Sequence, residues 1–341
     1  MYDEEILQLL QKVYGLNRYP FDSLLGTELN PVINDQLEEH YSKVEGFGLQ
    51  EPFIEQWFKT ARNLAKPPRI LVYGPQGSGR SSVANYIVWQ FSKAKKLSSG
   101  EIKILLVKVE IKNEDSIEPI QLALMELFKH LRKCLGEQLR TEYKYLYDDY
   151  SDLLKNLSST EYTEEIKYGL AKDIFEQIND ILIERKRLTL IILDKVNNYP
   201  QIIYANQVFE KAPLLVYTTS GQKIYDSFEQ EKSFSEIHGF SVKLSRLSLE
   251  DVQQFLDHCW NIGLDIDHKK NHPFDHKGLK VIFEKTTWPF KFIVIFFDQI
   301  LISHLNQFTI NGQQEIKEYE KEIKQEEIVS EFAKYMNNLN I

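Results

Sequence analysis

The chain has 341 residues, of which 43% are hydrophobic and 27% are charged, a composition typical of a soluble globular protein with one large or two moderate domains. Its net charge of −9 argues against a broadly basic nucleic-acid-binding protein, although a local basic patch is compatible with it. The two cysteines fit no metal or disulfide spacing, and the first residues are acidic. We therefore expect a cytoplasmic protein with no signal peptide and no membrane partner.

Helical patterns dominate the residues that precede the first strand. Apolar residues at helical spacing cover residues 4–13 and again 52–65, so we predict an N-terminal helical segment over residues 1–66. The pair Pro67-Pro68 ends the second of these helices. A short apolar run, residues 70–73, follows and predicts a buried strand.

A glycine-rich loop follows that strand. Its sequence, Gly74-Pro-Gln-Gly-Ser-Gly-Arg-Ser81, matches the phosphate-binding pattern G-x-x-x-x-G-K-[ST] at every fixed position but one. Glycines let backbone N–H groups turn toward phosphate oxygens, and the next helix presents its positive end to the same anion. The predicted cofactor-binding residues of the loop are Gly74, Pro75, Gln76, Gly77, Ser78, Gly79, Arg80, Ser81 and Ser82. A strand-to-helix turn without a ligand is the alternative.

The exception to the pattern is Arg80, which stands where lysine is expected. Arginine keeps the positive charge, but its forked guanidinium is larger than an ammonium group in a cramped phosphate site. It can still pair with phosphate oxygens in a bidentate manner. The substitution therefore predicts that phosphate binding survives while the alignment needed for phosphoryl transfer suffers.

Strand and helix signals alternate over residues 67–247. Strands are predicted at 102–109, 188–194, 214–220 and 240–247, and helices at 82–91, 117–135 and 168–185. A polar, tyrosine-rich stretch at about 136–170 has the character of a helical insertion. This alternation predicts an α/β domain with a parallel, doubly wound sheet, and the glycine-rich loop gives that domain a P-loop for phosphate.

Polar side chains end two of these strands. Asp194 closes a nearly continuous apolar run, and the carboxyl ends of parallel strands are where open α/β sheets bind ligands. We therefore predict that Asp194 and the hydroxyl of Ser81 hold Mg²⁺, directly or through water. An aspartate that only makes a turn is the alternative. The next strand ends in Thr218 and Thr219.

Strand signals disappear after residue 247. Helical patterns at 252–260, 276–285, 289–305 and 314–336 predict an all-helical lid domain over residues 248–341. Three histidines, His268, His272 and His276, recur at a spacing that could bind a metal on a helix. Pro273 interrupts that helix, so a solvated loop is the prediction there.

The order of these motifs resembles that of AAA+ ATPases, and in particular the origin-recognition-like and transposon-regulator branch. Residues 14–21, Tyr-Gly-Leu-Asn-Arg-Tyr-Pro-Phe, and 286–291, Thr-Thr-Trp-Pro-Phe-Lys, are similar to motifs of that branch. The resemblance implies ATP or ADP with Mg²⁺ as cofactors. It also implies that Asp194 acts with Thr218 or Thr219, which would sense the γ-phosphate, and that Lys291 touches this phosphate from the lid.

The chain departs from the AAA+ pattern at several charged positions. Lys195 stands where a catalytic glutamate usually follows the aspartate, and Phe290 stands where a lid arginine is usual. A positive charge at Lys195 cannot deprotonate the attacking water. We therefore expect a nucleotide-binding protein with weak or no hydrolysis, for which ATP or ADP is an assembly switch or structural cement.

Three kinds of partner and activity stay open at this point. The expected partner is a second copy of the chain or another protein. An active ATPase motor, in which another acid replaces the lost glutamate, is one alternative. A DNA-loaded clamp of a mobile-element or defence system is the other, and the acidic net charge disfavours it.

Overall fold

The fold is given by a computed structural model. It describes residues 4–17, 19–21, 67–76, 78–99, 102–157, 162–220, 224, 239–244, 248–264, 271–285, 290–308 and 321–338. The predicted helix at 52–65, His268, Gly77 and the lid segment 286–289 lie outside the described residues.

Five parallel strands form one sheet. They are β1 (Arg69–Tyr73), β2 (Lys103–Glu110), β3 (Arg187–Asp194), β4 (Leu214–Thr219) and β5 (Gly239–Lys243). Their order is β2-β3-β4-β1-β5, and every pairing is parallel. The predicted parallel sheet is thus confirmed. The strands β3, β4 and β1 are successive neighbours in this order, so their carboxyl ends lie side by side at one edge of the sheet. This is the edge at which open α/β sheets bind ligands.

Helices make up most of the remaining described structure. They are α1 (Glu4–Tyr14), α2 (Arg80–Ser99), α3 (Glu118–Leu135), α4 (Gln138–Thr141), α5 (Lys144–Leu157), α6 (Glu164–Glu184), α7 (Tyr199–Val208), α8 (Leu249–Leu264), α9 (His276–Lys285), α10 (Phe290–Leu305) and α11 (Gln325–Asn338). Within the described ranges, no helix is long and apolar enough to cross a membrane.

Two hydrophobic clusters cover the two faces of the sheet. Successive side chains of a strand point to opposite faces, and in β3 Ile192 belongs to the first cluster while Ile191 belongs to the second. The first cluster joins the sheet to α1, α2 and the helices that follow residue 248. The second joins it to α3, α6 and α7. The sheet is therefore covered by helices on both faces, as a doubly wound α/β fold requires.

The stretch predicted as an insertion forms two helices, α4 and α5. Their buried residues Leu139, Leu146 and Leu153 belong to the second cluster. The ring of Tyr150 stacks on that of Phe128 in α3, with centroids 3.7 Å apart. The pair of helices therefore packs on the helical layer and lies away from the glycine-rich loop.

Candidate functional site

The glycine-rich loop connects β1 to α2 at the carboxyl edge of the sheet. The N–H of Gly74 donates to the carbonyl oxygen of Thr219, at 3.3 Å, which ties the start of the loop to the end of β4. A Cβ atom at Gly74 would lie 2.7 Å from the carbonyl oxygen of Leu244 and 3.0 Å from Ser78 Oγ, so no other residue fits there without a shift. Gly79 has a φ of 87°, in the left-handed region that favours glycine.

Two polar side-chain atoms of this loop are buried without a hydrogen-bond partner among the described residues. They are Ser78 Oγ and Arg80 Nη1. Burial lowers the pKa of the Arg80 guanidinium, and the Asp194 carboxylate offsets part of that fall. Buried polar groups in native proteins nearly always have partners. An anion with several oxygen atoms fits this pair, because it can accept from both the hydroxyl and the guanidinium.

A chain of hydrogen bonds joins α2 to β3 and β4. Ser81 Oγ lies 2.9 and 2.8 Å from the two carboxylate oxygens of Asp194. Thr218 Oγ1 donates to Asp194 Oδ1 and accepts from the backbone N–H of Lys195, the latter at 2.9 Å. Asp194 and Thr218 are both buried. The predicted metal pair, Ser81 and Asp194, is thus brought together, and Thr218 fixes the carboxylate.

These oxygen atoms fit Mg²⁺. The ion is usually bound by one or two carboxylates together with phosphate oxygens and water, and it needs no cage made by the protein alone. Among the described residues, no group of three or more His, Cys, Asp or Glu side chains is arranged to hold a metal. His272 and His276 are among the residues to which this finding applies.

The two threonines at the end of β4 have different environments. Thr218 shares the α2 face of the sheet with Asp194, since Val216 of the same strand belongs to the first cluster. The alternation of strand side chains places Thr219 on the opposite face, with Tyr217. The structure therefore brings Thr218 to Asp194, while Thr219 contributes its carbonyl to the loop through Gly74.

Lys195 follows Asp194 in an unusual backbone conformation. Its φ is 64°, a left-handed conformation that costs a non-glycine residue about 1–2 kcal/mol. Its Nζ lies 2.5 Å from Glu110 Oε1, and both side chains are about half exposed. Glu110 ends β2 and is the register partner of Asp194. Sequence reasoning missed Glu110, although it ends its strand as Asp194 ends the next one.

Amide side chains fix the loops that follow β2 and β3. The side-chain NH₂ of Gln201, a fully buried residue, donates to the carbonyl oxygens of Asn113 and Asp115, both at 2.9 Å. Asn197 Nδ2 donates to the same Asn113 oxygen at 3.0 Å. Because Gln201 belongs to α7, this helix holds both loops at the carboxyl edge of the sheet.

The remaining predicted residues lie around the loop and in α10. Pro75 and Gln76 are exposed, and Ser82 is half-buried as the third residue of α2. Lys291 is the second residue of α10, so the predicted start of this helix near residue 289 agrees with the structure. The contact of Lys291 with a γ-phosphate stays a prediction.

No protein-family model matches the sequence, and no curated protein matches it. Among solved structures, the chain is similar to the ORC2 protein of Aeropyrum pernix in its ADPNP-ADP complexes, with a TM-score of 0.53 and 11% identity over 89% of this chain and 72% of that chain. The ADP form of that protein gives a TM-score of 0.52 and 12% identity over 83% and 67% of the two chains. At such identities the likeness shows the fold alone. The chain has an AAA+ fold, which confirms the predicted fold class.

Proposed function

We propose that this protein binds ATP or ADP together with Mg²⁺ at the loop between β1 and α2. The observation that carries the proposal is a pair of buried atoms of the glycine-rich motif, Ser78 Oγ and Arg80 Nη1, that have no hydrogen-bond partner in the described part of the chain. Support also comes from the structures of similar fold, which were solved with ADPNP and ADP.

The residues of the site divide into three roles in this proposal. Backbone N–H groups of the loop, the hydroxyl of Ser78 and the guanidinium of Arg80 donate hydrogen bonds to the phosphate oxygens of the bound nucleotide. Ser81 and Asp194 hold Mg²⁺. Thr218 keeps the Asp194 carboxylate in place through its hydroxyl and is better placed than Thr219 to respond to the γ-phosphate.

Hydrolysis is weak or absent in this proposal. Lys195 directly follows Asp194, and its ammonium group contacts Glu110. The side chain next to the proposed metal ligand Asp194 is therefore a cation. A cation cannot take a proton from water. Arg80 adds a second departure, because its planar fork cannot superimpose on the point charge of a lysine.

Nucleotide then acts as a switch for assembly with a second copy or with a protein partner. The assignment to the origin-recognition-like and transposon-regulator branch, and with it a place in a mobile-element or defence system, rests on the motif order of the sequence. Light scattering of the purified protein with ATP·Mg²⁺, with ADP·Mg²⁺ and without nucleotide tests the switch. A nucleotide-dependent change in mass supports it, and identical masses contradict it.

Two serines of the same helix provide a matched test of the binding site. Ser81→Ala removes a hydroxyl that faces Asp194, whereas Ser92→Ala removes a buried hydroxyl that donates to the carbonyl of Val88 in α2. A ligand that binds only the native state raises the melting temperature by mass action. We expect ATP·Mg²⁺ to raise it for wild type and Ser92→Ala, and much less for Ser81→Ala. Equal shifts for both variants would place the ligand elsewhere.

A further inference from the structure

We infer that Glu110 is the carboxylate of this site that can activate water, and that Lys195 holds it inactive through their ion pair. The inference rests on the proposed nucleotide binding. It also answers the question left open by the sequence, namely which acid could replace the glutamate that is missing after Asp194.

The position of Glu110 follows from the sheet register. Glu110 and Asp194 are paired Cα partners at the carboxyl ends of β2 and β3, and neighbouring strands lie about 4.8 Å apart. The glutamate side chain is one methylene longer than that of aspartate. Glu110 therefore starts beside Asp194 and has the greater reach along the edge where the phosphates are expected.

The side chain of Glu110 also leaves β2 on the appropriate face. Ile104 and Leu106 of β2 pack on the first cluster, together with α2. Alternation puts Lys108 and Glu110 on that same face, and the Nζ of Lys108 donates to Oδ1 of Asn85 in α2 at 3.3 Å. Glu110 is thus on the side of the sheet that carries the glycine-rich loop and its helix.

Lys195 is fixed so that its side chain meets Glu110. Its own N–H donates to Thr218 Oγ1, and the next N–H, that of Val196, donates to the carbonyl oxygen of Thr218 at 2.7 Å. These bonds hold the left-handed backbone in place. The ammonium group then lies on Oε1 of Glu110, the kind of oxygen that would otherwise accept a proton from water.

If the ion pair between Lys195 and Glu110 opens, Glu110 can act as the general base in ATP hydrolysis. Glu110 takes one proton from water while the water oxygen bonds to the γ-phosphorus of ATP. The bond from that phosphorus to the bridging oxygen breaks, and ADP leaves with the electron pair. Glu110 then returns its proton to solvent, which leaves inorganic phosphate as the second product. A well-placed general base contributes roughly 10²–10⁴-fold in rate.

Three variants of the whole chain test the inference. Lys195→Asn removes the cation and suits a left-handed backbone. The double variant Lys195→Asn with Glu110→Gln removes the released base as well. Lys186→Asn is the matched control, because Lys186 has a φ of 55° at the opposite end of β3. We expect Lys195→Asn to hydrolyse ATP at least about tenfold faster than wild type, the double variant to lose this gain, and Lys186→Asn to leave the rate unchanged.

A binding measurement gives a second, independent readout. ADP·Mg²⁺ with aluminium fluoride resembles the state in which water attacks the phosphate, and calorimetry measures its affinity. We expect it to bind more tightly to Lys195→Asn than to the double variant. A Lys195→Asn protein that binds ATP but is no faster than wild type, or a gain that persists in the double variant, overturns the inference alone. Absence of ATP binding by folded wild type overturns the proposed function and this inference together.

Discussion

Two arginines, the buried Arg69 at the start of β1 and the half-buried Arg80 at the start of α2, have opposite surroundings. Arg69 begins the strand, and its guanidinium donates to four carbonyl oxygens, those of Pro68, Phe209, Glu210 and Ala212, at 2.8–3.2 Å. Arg80 lies beyond the other end, and its buried Nη1 has no hydrogen-bond partner among the described residues. Burial lowers the pKa of both guanidinium groups, yet among the described residues the first has four acceptors whereas Nη1 of the second has none. The difference separates an arginine that holds the fold together from one that is suited to an external anion.

The largest expected effect is on stability. Arg69→Ala removes the guanidinium donor from four carbonyl oxygens, that of Pro68 before β1 and those of Phe209, Glu210 and Ala212 after α7. Hydrogen bonds to charged groups are individually strong. We expect a loss of about 3 kcal/mol in the free energy of unfolding, measured by urea denaturation. Arg187→Ala, at the start of β3, is the control and should cost less than about 1 kcal/mol. Similar losses for both variants would show that the Arg69 hydrogen bonds stabilise the fold no more than the contacts of Arg187 do.

The next effect is on nucleotide binding, because Arg80 should matter for ATP affinity where Arg69 matters for stability. Arg80→Ala removes a half-buried side chain whose Nη1 has no partner among the described residues, so the free energy of unfolding should change by less than about 1 kcal/mol. The affinity for ATP should fall by about 2 kcal/mol, or roughly 30-fold, because a charge-assisted bond to phosphate is lost. Calorimetric titration measures it. An unchanged affinity together with a large loss of stability would make Arg80 a structural residue like Arg69.

A smaller effect tests whether α10 supplies a second phosphate contact. Lys291 is the second residue of this helix, and the proposed contact involves only the γ-phosphate. Lys291→Ala should weaken ATP binding more than ADP binding, by about 1–2 kcal/mol, the range of a hydrogen bond to a charged group. Titrations with the two nucleotides compare them. Equal losses for ATP and ADP would assign the whole γ-phosphate contact to the loop.

The smallest effect concerns the surface beside Arg69. Lys172 Nζ lies 2.6 Å from Glu210 Oε2, and the hydrogen bond from Lys172 lowers the pKa of the Glu210 carboxyl below its ordinary 4.5. A lowered carboxyl pKa stabilises the fold above pH 4.5, and this contribution disappears as pH falls through the folded-state value. Exposed pairs contribute about 0.2–1 kcal/mol. Glu210→Gln should therefore lower stability by this amount at pH 7 and by less at pH 3, as urea denaturation at both values would show.

Features that depend on neighbouring residues could be predicted from the sequence. The buried strand before Gly74, the glycine-rich loop and the apolar run that ends at Asp194 are local patterns, and the structure places all three at one edge of the sheet. The helix α7 was missed, although Asn198 caps it and Pro200 occupies its first turn. Both are ordinary helix-start signals.

Features that depend on register could not be predicted. The choice between Thr218 and Thr219 as the neighbour of Asp194 depends on how β3 and β4 are aligned, since a shift of one residue exchanges the two faces. The contact between Lys195 and Glu110 depends likewise on the pairing of β2 with β3. The strands β2 and β3 are separated by four helices in the chain, so no local pattern reports their alignment.

The main proposal is that the loop between β1 and α2 binds nucleotide through Arg80, whose buried Nη1 has no hydrogen-bond partner among the described residues. Its most direct test is a calorimetric titration of ATP·Mg²⁺ into folded wild-type protein, followed by the same titration into Arg80→Ala. We expect measurable binding heat for wild type and an affinity roughly 30-fold weaker for the variant. Absence of heat at millimolar ATP·Mg²⁺ with no change in melting temperature, for a sample shown to be folded, would contradict it.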